Sequence, residues 1–217
     1  MNLIKLQSQI DFDGWRSAAR QLALRRVAPA EVAWLVDGDQ TELFEPSPAV
    51  EADVAGNFSV PRAFVDLARI TLLHRDPARF GLLYRLLWRL RLNPHLLTIA
   101  TDADVAQINA LAKAVSRDEH KMHAFVRFRE IACDGASRFV AWFEPEHHIV
   151  ELAAPFFRDR FSNMAWSILT PERAVHWDGE QLSFTEGVPK SEAPSADAIE
   201  DIWRSYYASI FNPPRLK

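Results

Sequence analysis

The stretch that decides the fold is Ala124-Phe125-Val126-Arg127-Phe128-Arg129-Glu130-Ile131, followed by Asp134-Gly135 and then Arg138-Phe139-Val140-Ala141-Trp142-Phe143. Both runs are rich in aromatic and β-branched residues, and Asp-Gly between such runs is a strong turn signal. They read as a hairpin of two long strands, with the change from helical to strand period placed near His120. Downstream, Trp166-Ser167-Ile168-Leu169-Thr170 and Ala174-Val175-His176-Trp177 read as a second pair, with Pro171 at the turn. Asp178-Gly179 marks one more turn before Leu182-Ser183-Phe184. Between the two pairs, Leu152, Ala153, Phe156, Phe157 and Phe161 suggest a helix opened near Pro145-Glu146.

Upstream of the hairpin the period is helical. Trp15, Ala19, Leu22 and Leu24 predict a helix over about 14–25. Glu31 to Val36, Asp37-Gly38 and Thr41 to Phe44 read as a short hairpin, and Glu45 to Asn57 as a loop. Ser59 is placed as a cap, with Pro61 in the first turn of a helix carrying Phe64, Leu67, Ala68 and Leu72. Asp76-Pro77 repeats that signal before the stripe Phe80, Leu83, Leu87 and Leu90, which leaves Arg85 and Arg89 on another face. Thr101 or Asp102 caps a third helix, with Val105, Ile108, Ala112 and Val115 inward. Asp197 and Glu200 begin a last helix, whose stripe is Ile199, Ile202, Trp203, Tyr206 and Ile210. The expected fold class is α+β in one domain spanning 1–217. Helices concentrate in the first half, antiparallel hairpins in the second, and a C-terminal helix closes the chain.

Composition bounds the chemistry. The 217 residues are 48% hydrophobic and 25% charged, ordinary values for a globular chain. No window is apolar enough for a membrane helix and the start lacks a signal-peptide core, so the expected location is cytoplasmic. A single cysteine, Cys133, excludes an internal disulfide and cysteine-rich metal sites. Scattered glycines exclude a dinucleotide-binding turn and a P-loop. No GxSxG or HExxH string occurs.

The net charge is −4, yet charge is unevenly spread. Arg62 to Arg91 holds seven arginines against Asp66 and Asp76, whereas Asp37 to Asp53 holds six acids and no base. Such blocks point to a basic face suited to nucleic-acid phosphates. Its candidate residues are His74, Arg75, Arg79, Arg85, Arg89, Lys121, Arg127 and Arg129. A second constellation is His120, His123, Glu144 and His147. If the first hairpin extends as read, its open ends bring these four together, and imidazoles beside a carboxylate suit proton transfer or a metal. Spacing alone defines no ligand set, so neither metal nor cofactor is assigned. His176-Trp177-Asp178-Gly179 reads either as a binding edge or as a buried tryptophan beside a turn. Trp203, Tyr206 and Tyr207 suit a core or interface better than base stacking.

Five strings carry a resemblance. They are His74-Arg75-Asp76-Pro77, Leu83 to Trp88, Asp118 to Arg129, Ala141 to Pro145 with His147, and Ser209 to Pro213. Together they resemble a bacterial domain-of-unknown-function family described as a probable DNA-metabolism protein. Members of that family stand beside radical-SAM proteins similar to photolyases, or are fused N-terminal to a UdgX-type uracil-DNA glycosylase. The resemblance implies a DNA-repair setting and transfers no catalytic assignment. It also implies that 1–217 is the N-terminal part of a longer repair protein. The glycosylase's uracil-pocket loop, Gly-Glu-x-Pro-Gly, is absent, so uracil excision is not expected.

The expected function is a DNA-repair accessory domain that binds DNA through the basic His/Arg face. Its partner is a uracil-DNA glycosylase domain or a radical-SAM photolyase-like protein. Two alternatives stand beside it. One is a protein-docking module without DNA binding of its own. The other is a hydrolase or lyase that uses the His/Glu group on DNA.

Overall fold

The computed structural model describes residues 1–37, 56, 58–133 and 136–189. The chain divides into two compact units, Met1–Arg117 and Asp118–Lys217.

The first unit opens with strand β1 (Asn2–Leu6), helix α1 (Phe12–Leu24) and strand β2 (Val32–Val36). β2 pairs in parallel with β1, from Asn2↔Val32 to Leu6↔Val36. The expected hairpin partner, Thr41 to Phe44, lies outside the described residues. Parallel pairing needs a crossover, and α1 supplies it. Asp11 starts that helix: its carboxylate accepts from the Gly14 N–H at 2.8 Å and from the Gln7 N–H at 3.1 Å.

Helices α2 (Arg62–Leu72) and α3 (Arg79–Leu90) follow. Two expected caps are corrected here. α2 has Pro61 at its N-cap position and no side-chain cap, so Ser59 does not serve. Asp76 accepts from the Ala78 N–H at 2.9 Å and forms a turn ahead of α3, which begins two residues later than expected. The α3 stripe Phe80, Leu83, Leu87 and Leu90 is buried, as its spacing predicts. It packs with Leu6, Trp15, Leu22, Phe64 and Leu72 into one core.

Helix α4 runs Ala103–Phe125 and is the largest departure from the sequence reading. Asp102 caps it as expected, accepting from the Asp104 and Val105 N–H groups. The inward stripe Val105, Ile108, Ala112 and Val115 then continues through Asp118 and Met122. Residues 120–125 are therefore helical, and the first strand of the hairpin is shorter than expected. The helical period persists because Asp118, a polar residue, occupies one buried stripe position.

The second unit contains β3 (Arg129–Cys133), β4 (Ala136–Trp142), helix α5 (Val150–Arg160), β5 (Trp166–Leu169), β6 (Arg173–Trp177) and β7 (Leu182–Glu186). They form one sheet in the order β3-β4-β5-β6-β7. The hairpins β3–β4 and β5–β6 and the pair β6–β7 are antiparallel, as read from the turns. β4–β5 is parallel, with α5 in the connection. On one face of the sheet, Trp166 meets Phe157 of α5 and Phe128 at ring separations of 6.2 and 5.7 Å. The opposite face carries Ile131, Val140, Leu169, Ala174 and Val188 as a smaller cluster. The expected helix over 197–210 lies outside the described residues. Both halves of the α+β expectation otherwise hold: helices dominate the first and strands the second.

Candidate functional site

The four candidate catalytic residues do not converge. His120 and His123 stand three residues apart on a helix, not on a strand. His120 is exposed. His123 is stacked on Phe156 at 4.0 Å between ring centroids and meets Phe157 edge-on at 5.6 Å. Its Nε2 is buried and has no hydrogen-bond partner among the described residues. Burial lowers its pKa, and Glu119 opposes that shift. Glu144 accepts from the Trp142 indole N–H at 3.1 Å. His147 is buried, and its backbone N–H donates to Asp118 at 2.9 Å. Among the described residues, no group of three or more His, Cys, Asp or Glu side chains could hold a metal ion.

Asp118 organises the segment that links β4 to α5 and was not singled out from the sequence. It is 2% exposed, and its carboxylate accepts backbone N–H groups of that segment. Desolvation raises its pKa, while those N–H donors and Lys121 pull the other way. The signal was present, since Asp118 sits at a stripe position where an apolar residue is expected. Lys121 reaches the same segment through Glu146 at 2.6 Å.

The eight cationic candidates fall into three groups. Arg79 is corrected outright, because it is fully buried and unavailable to a phosphate. Its Nε donates to the Leu72 carbonyl at 2.6 Å, and one terminal nitrogen donates to the Asp76 carbonyl at 3.0 Å. The other terminal nitrogen donates to the carbonyl and side-chain oxygens of Gln9, each at 2.8 Å. One guanidinium thus ties the end of α2, the turn before α3 and the β1–α1 loop together.

In the second group the charge is already matched. Arg85 forks onto Asp104, with its shortest contact at 2.7 Å. Arg89 pairs with Asp102 and reaches Asp104 at 2.8 Å. These hydrogen bonds hold both carboxyls below the usual range and raise both guanidinium pKa values. Lys121 belongs here through Glu146. His74 accepts from the Asp76 N–H at 3.0 Å and shapes the local turn.

The third group is exposed: Arg75, Arg127 and Arg129. Arg127 donates to the Ala124 and Val126 carbonyls at 2.7 and 2.9 Å, at the C-terminal end of α4. Among the described residues, neither Arg127 nor Arg129 meets a carboxylate.

A further cationic cluster in the first unit escaped the sequence reading. The Arg20 guanidinium lies 5.6 Å from the Phe58 ring centroid and donates to the Gly56 carbonyl at 2.9 Å. The Arg91 guanidinium lies 5.8 Å from the same ring and 4.8 Å from the Trp88 ring. The four residues come from α1, the segment before α2, and α3 with its C-cap, so no local motif links them. Charge overall follows the same division. The described residues of the first unit carry fourteen Lys and Arg against eight Asp and Glu; those of the second carry seven against eleven.

His176 sits at the centre of a buried polar row across three strands. Its Nδ1 is 2.7 Å from the Ser167 hydroxyl and its Nε2 2.9 Å from the Thr185 hydroxyl. Burial lowers its pKa to about 4. Ser167 and His176 are both fully buried, so the row braces the sheet and offers no substrate access. Trp177 is buried beside the following turn, which leaves the bland reading of that string in place.

No helix among the described residues is long and apolar enough to cross a membrane. No curated protein and no solved structure matches the chain significantly. The family model described as Domain of unknown function (DUF4130) matches residues 77–217, well over half of the 217 residues, and the chain belongs to that family.

Proposed function

We propose that the chain is a DNA-repair accessory domain that binds DNA phosphates through arginines with no acidic partner. It would work with a uracil-DNA glycosylase or a radical-SAM photolyase-like protein. The observation that carries this reading is the state of Arg127 and Arg129. Both are exposed, and the described residues offer neither of them a carboxylate. The carbonyls of Ala124 and Val126 hold Arg127 in place, which lowers the entropy lost when it grips a phosphate. Arg75 adds a third exposed cation from the first unit.

Fluorescence anisotropy of the full chain against single-stranded, duplex and uracil-containing DNA tests the reading. Salt-sensitive binding that falls at least tenfold in Arg127→Glu with Arg129→Glu supports it. Absence of binding at low salt removes it.

The docking-module reading has one observation in its favour. Phe125 and Phe156, in the second unit, are 68% and 43% exposed. Exposed aromatics of this size suit a protein partner. Nothing in the geometry favours the hydrolase or lyase reading, because its four residues face different neighbours.

A further inference from the structure

We propose that Arg20, Phe58, Trp88 and Arg91 form a binding site for a segment of single-stranded nucleic acid. The two guanidinium groups hold phosphate, and the indole supports an unpaired base. This rests on the nucleic-acid reading above and locates a second contact region, in the first unit.

The first argument is charge. Two cations lie within 6 Å of one ring centroid. Among the described residues, neither meets a carboxylate. Like charges gathered in this way repel, and the ring quadrupole compensates them only in part. A phosphate between them relieves the repulsion, and guanidinium forks fit its oxygens in pairs. The Arg85–Arg89 pair in the same unit shows the alternative arrangement, with Asp102 and Asp104 already in that place.

The second argument is order. Arg20 is held by the Gly56 carbonyl at 2.9 Å, so its position is set before a ligand arrives. Trp88 is braced edge-on by Tyr84 at 6.4 Å, and the Tyr84 hydroxyl is fixed on the Val27 carbonyl at 2.7 Å. Trp88 and Arg91 are both partly exposed. Arg91 already lies over the indole, and the same side chain then serves phosphate and platform together.

The third argument selects the strand state. An aromatic beside cations reads base faces, which are accessible in single strands and hidden in a duplex.

The test uses the full chain, a labelled oligothymidylate of about twenty nucleotides, and a duplex of the same length. The variants are Arg20→Met with Arg91→Met, Arg91→Met alone, and Arg127→Glu with Arg129→Glu. Thermal melts confirm folding. Arg91→Met gives up no side-chain hydrogen bond among the described residues, so it keeps the test open if the double variant does not fold. The double variant is expected to bind the oligonucleotide at least tenfold more weakly. Its salt slope should fall by about two, one for each lost phosphate contact. If the wild type binds, Arg127→Glu with Arg129→Glu loses binding and the Met variants do not, this site is overturned while the reading above stands. A wild type that prefers duplex overturns the single-strand assignment. A wild type that binds neither DNA overturns both.

Discussion

Two pairs of arginines in the first unit have the same formal charge and opposite circumstances. Arg85 and Arg89 stand one turn apart on α3 and are matched by Asp102 and Asp104 at the start of α4. Arg20 and Arg91 come from distant segments and gather on aromatic rings. A count along the sequence ranks the first pair higher, because its members are neighbours in a basic run. The geometry reverses that ranking. Positive charge serves recognition only where the fold has not already used it, and the carboxylates that use it here lie far outside the basic run.

Arg79 provides the largest expected effect and marks one end of the comparison, where the cation is wholly consumed by structure. Arg79→Met leaves four oxygen acceptors in the core without their donor. It should destabilise the chain by about 3–5 kcal/mol, measured by urea unfolding. A loss under about 1 kcal/mol would mean that the buried guanidinium does not hold those segments.

His176 sharpens the comparison from the other side, as a base whose fold keeps it uncharged. Its pKa is about 4 in the folded state, against an ordinary value of 6.5. Between those values the unfolded chain binds a proton that the folded chain refuses. Stability should therefore fall as pH drops from about 6.5 to 4, by at most roughly 3 kcal/mol. Urea midpoints across that range check it, and His176→Gln should flatten the dependence. A profile unchanged by the substitution would show that His176 is not its source.

The pair Arg85–Asp104 should give the smallest effect. A double-mutant cycle with Arg85→Gln and Asp104→Asn should return a coupling of about 1 kcal/mol or less, because Arg85 is half exposed. The sign is set by the lowered Asp104 carboxyl. The stabilisation is fully present above the unfolded value near 3.9 and lost as pH falls through the lower folded value. DNA affinity should stay within about twofold in both variants. A tenfold loss of affinity would break the distinction between matched and unmatched arginines.

Much of the second unit was legible, because its signals are local. Asp134-Gly135, Pro171 and Asp178-Gly179 mark the turns, and aromatic and β-branched runs lie between them. The capping role of Asp102 was equally plain. The boundary of α4 was not. Phe125, Val126 and Phe128 have strand-like propensities, and Asp118 interrupts the apolar stripe that would have extended the helix. Strand β1 was missed because five residues carry little pattern of their own and its partner β2 lies across a helix. The candidate site was legible only as a composition. Whether an arginine is buried like Arg79, matched like Arg89 or stacked like Arg91 depends on residues tens of positions away. Local periodicity contains no trace of them.

The parallel seam between β4 and β5 bears on how the second unit folds. On one side of it, β3 and β4 close a tight hairpin; on the other, β5, β6 and β7 follow one another through short turns. Each group joins residues that are close along the chain, so each zips on a timescale of microseconds. The seam must bring Phe139 to Trp166 across the whole of α5 and its connections. That loop closure loses more entropy than any hairpin turn in the sheet, and it comes before the pairing that offsets it. The slow step in building this sheet is expected at the seam, and substitutions in α5 that loosen the crossover should retard folding more than equally disruptive changes within either hairpin.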